Sequence, residues 1–175
     1  MKVRPFVGVV ISALLAAAAA PGAEAEKRPR LPVVSVRTLQ GEAWNISDQR
    51  GRVSVLHFWS LNCRPCLAVL PRLRRLYSGW KKRSDVALVG LPTDDDLIQI
   101  RRHVERQRMS WTQLVAESGS ALPVLAGPLG IKEMPTPFFW IVDPDGKIVA
   151  TATDPETAKR LAEQLALRER STPPE

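Results

Sequence analysis

The only two cysteines of the chain, Cys63 and Cys66, stand three positions apart in the stretch FWSLNCRPCLAVLP, residues 58–71. On one helical turn that spacing brings the α-carbons to about 5 to 6 Å, inside the window a disulfide accepts. Such a pair opens and closes without moving the backbone. A β-branched apolar run from Val53 to Trp59 precedes it and a helical pattern follows it. Cys63 therefore belongs at a strand-to-helix junction, where free amides and the positive end of the helix dipole favour a thiolate. Arg64 adds positive charge, and Pro65 suits a first turn because its missing N–H has no partner to lose. Cys63 is expected as the exposed nucleophile, tuned by Arg64 and Pro65, and Cys66 as the less accessible thiol that resolves a mixed disulfide.

Blander uses of two thiols compete with exchange. A structural disulfide closing so short a loop restricts the unfolded chain little. A zinc site needs four ligands, and the chain has no second cysteine pair and only His57 and His103 as histidines. Copper held by Cys63, Cys66 and either Met134 or His57 stays open as an alternative, a carrier without turnover. Redox exchange meets every condition at once, and it calls for no resident cofactor or metal.

The elements that must position the pair follow from periodicity. VVSVRTLQGEAWNI alternates and turns at Gln40–Gly41, an opening strand or hairpin. Residues 53–59 read as a central strand. Leu67, Leu70, Leu73 and Leu76 fall at helical spacing, with Pro71 expected to kink that helix. VALVGLP is a second buried strand, and Asp94, Asp95 and Asp96 read as the acidic start of the helix LIQIRRHVERQR. The pattern from Met109 to Ile131 is irregular, with room for a short strand near WTQLV and a short helix. FFWIVDPDGKIVATAT is a hairpin turning at Asp143–Gly146, and DPETAKRLAEQLALRER closes as a helix. The order implies an α/β domain, a mixed sheet flanked by helices.

Two separated motifs, FWSLNCRPCLAVLP and EMPTPFFWIVDPDGKIV, resemble the thioredoxin superfamily, specifically its exported TlpA/ResA-like thiol:disulfide oxidoreductases. The resemblance runs from about Val33 to Leu167 and implies a thioredoxin-like fold. It implies a cis-proline at Pro135, with Met134, Pro135 and Thr136 binding an extended client segment. It also implies a membrane redox partner that recharges the pair, and clients in cytochrome c or copper-site assembly. The sequence departs from the family at Asn62, where an aromatic residue is common, and at Val69, where a glutamate is common. It also carries His57 in the strand beneath the pair. His57 reads either as a buried neutral histidine satisfied by the backbone or as the acceptor of the Cys66 proton. His103 is expected at the surface.

The whole chain has 45% hydrophobic and 25% charged residues and a net charge of +7, an ordinary globular composition. Its arginines, clustered at 72, 74 and 75 and at 101, 102, 106 and 108, lack interleaved aromatics, so solvated helix faces are expected rather than a nucleic-acid surface. Lys2 and Arg4 precede a weakly polar stretch that ends in Ala23-Glu24-Ala25. Residues 1–25 thus read as a signal peptide, with an uncleaved anchor as the alternative, and the protein as periplasmic. Residues 26–32 read as a linker, 33–168 as one thioredoxin-like domain and 169–175 as a disordered tail. The expected activity is exchange with envelope proteins, as a reductase or, with the same parts, an oxidant.

Overall fold

The computed structural model describes residues 28–171 apart from 35, 50 and 118; the signal-peptide segment lies outside the described residues. Eight strands form one mixed sheet: β1 (Val36–Thr38), β2 (Ala43–Trp44), β3 (Val53–Trp59), β4 (Val86–Pro92), β5 (Thr112–Ala116), β6 (Gly119–Ser120), β7 (Phe138–Val142) and β8 (Ile148–Ala152). The helices are α1 (Arg64–Trp80), α2 (Leu97–Arg106), α3 (Leu122–Ala126) and α4 (Pro155–Ser171). Strand order is β2-β1-β5-β4-β3-β7-β8, with β6 paired to β5.

Strand β3 lies at the centre, buried over all seven residues, parallel to β4 and antiparallel to β7. Its alternating side chains build two cores. Val53, Val55 and Trp59 join Leu70, Leu73 and Leu76 of α1, Ile100 and Val104 of α2, and Ala158, Ala162 and Ala166 of α4. Leu56 and Phe58 face the opposite way, toward Leu122 and Leu125 of α3 and Trp140 of β7. A small residue every fourth position lets α4 lie close against the sheet. Helix α1 runs on through Pro71, which has no N–H to offer the Leu67 carbonyl. The β7–β8 turn is set by Asp143, whose Oδ1 accepts the amides of Asp145 and Lys147 at 3.0 and 2.8 Å, and by Gly146 at φ 84°.

Three expectations need correction. The segment read as a linker is docked: Leu31 is 1% exposed, its amide donates to the Gly146 carbonyl at 2.9 Å, and the Ile148 amide donates to Pro29 at 2.8 Å. One leucine finding an open strand edge outweighs the charged, proline-containing residues around it. Helix α4 reaches Ser171, three residues into the expected tail. His103 is buried at 5% exposure, because Ile100, His103 and Val104 share the inner face of α2.

Candidate active site

Strand β3 ends at Trp59, residues 60–62 turn, and Cys63 becomes the N-cap of α1 in extended conformation, φ −84° and ψ 97°. Its Sγ accepts the Cys66 amide at 3.0 Å, so the sulfur occupies the position an N-cap oxygen would take. The first turn of α1 contains no acid, which leaves the positive end of the helix unopposed from within. Cys63 and Cys66 are joined as a disulfide with α-carbons 5.2 Å apart. In this closed form Cys63 is 9% exposed and Cys66 3%, so the sulfur expected to be exposed is nearly covered. Arg64 and Pro65 both face solvent, with Pro65 in the first turn.

The register of β3 with β7, Phe58 opposite Phe138, brings the residues before β7 to the same end of the sheet as the cysteine turn. Met134 is half-buried beside the core under α3, Pro135 is exposed and Thr136 is half-buried. The cis bond expected at Pro135 lies instead at Thr136–Pro137. Both X–Pro bonds have the same low intrinsic cost, about 0.5–1 kcal/mol, so sequence does not separate them. Pro137 is the one directly before the first paired residue of β7.

His57 is fully buried and stacks on Phe139 at 4.8 Å between ring centroids. Neither ring nitrogen has a hydrogen-bond partner among the described residues, so the expected backbone satisfaction is not found. Burial lowers its pKa to about 3, which leaves the ring neutral. His103 stacks on Trp59 at 5.2 Å; burial and then Arg106 lower its pKa, with Asp94 opposing. The Trp59 indole donates to Gln113 Oε1 at 3.0 Å, and Gln113 donates to the Trp111 carbonyl at 3.2 Å. Gly90 makes room for that carboxamide, since a Cβ there would overlap it.

Sequence reasoning missed the Asp94–Asp96 triplet as anything but a helix start. Only Asp96 caps α2, accepting the amides of Ile98 and Gln99 at 3.0 and 2.9 Å. Asp95 accepts the Ser120 amide at 3.0 Å. Asp94 turns to the active loop, accepting the Leu61 amide at 2.8 Å and the Ser60 hydroxyl at 3.2 Å. The topology carried the signal: parallel neighbours end together, Trp59 opposite Pro92, so the loop after β4 must meet the loop after β3. Beside them lies an open groove of about 530 Å³ lined by Leu61, Asn62, Ile98, Arg102, His103 and Arg106. No group of three or more His, Cys, Asp or Glu placed to hold a metal occurs among the described residues.

A closed C-x-x-C pair whose first sulfur caps a helix at the end of a central strand defines a thioredoxin-like dithiol site. The AhpC/TSA family model matches residues 27–151, and the chain belongs to that family. The thiol-disulfide oxidoreductase ResA of Bacillus thuringiensis subsp. konkukian is 25% identical over 134 residues, covering 77% of this chain and 73% of its own. A thiol-disulfide oxidoreductase from Bacteroides fragilis shares the fold with a TM-score of 0.67 at 24% identity, covering 78% of this chain and 99% of that one. A secreted Mycobacterium tuberculosis disulfide oxidoreductase matches with a TM-score of 0.57 at 21% identity, covering 77% and 96%. The chain is a thiol:disulfide oxidoreductase of the ResA and TlpA kind with Cys63–Cys66 as its C-x-x-C pair.

Proposed function

We propose that the protein works outside the cytoplasm, in the periplasm, as a reductase of envelope-protein disulfides. A membrane redox partner supplies electrons to the Cys63–Cys66 disulfide, and the clients are proteins of cytochrome c or copper-site assembly. The Cys63 thiolate attacks one client sulfur; a Cys63–client bond forms as the client disulfide breaks, and the released client thiolate takes up a proton. The Cys66 thiolate, its proton lost to solvent, then attacks Cys63. The internal disulfide re-forms and the second client thiol leaves. Two electrons and two protons pass to the client. Thr136 and its neighbours, directly before β7 at the same end of the sheet as Cys63, offer backbone along which an extended client segment lies.

One observation carries the exchange chemistry: the Cys63 sulfur accepts the Cys66 amide at the start of α1, the place where a departing electron pair is best stabilised on sulfur; the reductase direction rests on the likeness to ResA. His57, lowered to about 3 by burial, is a poor acceptor for the Cys66 proton while the ring stays dry. We therefore assign that proton to solvent. A His57→Phe variant that attacks at the normal rate but resolves slowly would return the role to His57.

The test is capture. Cys66→Ser, expressed in the native host, should accumulate mixed disulfides at Cys63 with envelope proteins, and the wild-type protein should reduce insulin disulfides. Stoichiometric Cu(I) binding with no insulin reduction would replace this reading with the copper carrier.

A further inference from the structure

The disulfide turn is held from outside by a carboxylate that the exchange reaction does not consume. Asp94 Oδ2 accepts the Leu61 amide and Oδ1 the Ser60 hydroxyl, while the adjacent Thr93 amide donates to the Trp59 carbonyl at 2.8 Å. Residues 59–61 are thereby strapped, one after another, to the loop that follows β4. The far side of that loop is anchored as well: Asp95 holds Ser120, the Ser120 hydroxyl donates to the Pro92 carbonyl at 2.8 Å, and Asp96 caps α2. Asp94 is half-buried, and among the described residues it forms no ion pair.

We propose that Asp94 is a positioning residue that fixes the active turn and biases the Cys63–Cys66 pair toward giving up electrons. The inference rests on the proposed exchange at that pair and deepens it by assigning direction. The couple is the disulfide plus two electrons and two protons against the dithiol, with a client or glutathione disulfide as the opposite half-reaction. Whatever stabilises the Cys63 thiolate makes the pair more oxidising, and whatever opposes it makes the pair more reducing. On α1, Arg64 and the helix terminus favour the thiolate; on β3, His57 is neutral; on α2, His103 is pushed toward neutrality, while Arg102 and Arg106 across the groove favour the thiolate and Asp96 opposes it. Asp94 is the negative charge bonded to the turn itself. One residue, Asn62, separates Leu61 from Cys63, so the Asp94 carboxylate lies within a distance on the order of 10 Å of the sulfur. A unit charge at that range, in a dielectric between protein surface and water, changes an equilibrium by about twofold to tenfold.

The experiment equilibrates full-length wild type, Asp94→Asn, Asp94→Ala and Asp94→Glu with glutathione redox buffers and follows Cys63 ionisation by thiolate absorbance. Asp94→Asn keeps an oxygen for the Leu61 amide and removes the charge. It should shift the equilibrium about twofold to tenfold toward the dithiol, up to about 30 mV by the two-electron relation, and lower the pH at which Cys63 ionises. Asp94→Ala should add slower exchange through a loosened turn, and Asp94→Glu should restore much of the wild-type potential. Unchanged potential and ionisation in Asp94→Asn, with a wild type that exchanges normally, overturns the inference. A wild type that does not exchange with glutathione at all instead overturns the underlying function. Should Asp94→Ala fail to fold, the near-isosteric Asp94→Asn still decides.

Discussion

At the scale of single residues, the two buried histidines differ in what they cost. His57 has no partner for either nitrogen among the described residues, so removing its polarity should cost nothing and relieve a desolvation penalty of about 1–3 kcal/mol. His57→Phe, which retains a ring to stack on Phe139, should therefore raise stability in urea denaturation at neutral pH. The pH dependence has a definite sign. The folded pKa of about 3 lies below the unfolded value of about 6.5. Between those values the unfolded state binds the proton that the folded state refuses, so stability falls as pH drops below about 6.5. At pH 5 the loss from this residue should be about 2 kcal/mol, at roughly 1.4 kcal/mol per pH unit. The variant should lose that part of the slope; an identical slope in both proteins would show that His57 acquires its proton without unfolding.

At the scale of elements, β3 and α1 present the thiols as a unit, and their junction depends on a glycine one strand away. Gly90→Ala places a methyl where the Gln113 carboxamide sits, so Gln113 must move and the Trp59 indole loses its acceptor. Overpacking together with a lost buried hydrogen bond should cost about 1–3 kcal/mol and shift the tryptophan fluorescence, read by denaturant titration. Leu73→Ala, at a position with 0% exposure between α1 and the sheet, should cost about 2–5 kcal/mol. These elements were legible in the sequence because their periodicities are long: seven buried residues in β3 and a leucine stripe along α1. Within 109–131 the expected short strand and short helix are β5 and α3; β6 was not legible, since it is two residues long and exists only through its pairing with β5. In α2, the arginines masked a plain i, i+3, i+4 face of Ile100, His103 and Val104. Asp94 escaped notice because acids before a helix have a sufficient local explanation, whereas its actual partners, Ser60 and Leu61, are more than thirty positions away.

For the molecule as a whole, the net charge of +7 and the groove beside the active turn, where Arg102 and Arg106 outnumber Asp96 on the wall, should make encounter with acidic clients fast and salt-dependent. The exchange rate with a glutamate-rich disulfide peptide should fall several-fold between low salt and about 0.15 M ionic strength, while a lysine-rich peptide should show no such fall. Equal salt responses would remove electrostatic steering from the account. Polarity of another kind is built into the sheet. Pro29 and Leu31 are zipped to the turn between β7 and β8, and β7 runs against β3, so that turn and Cys63 lie at opposite poles, separated by roughly the 20 Å length of a seven-residue strand. The backbone thus enters the domain by its back door. Anything that grips the domain at Pro29 to Leu31 holds it from behind and leaves the cysteine pole uncovered.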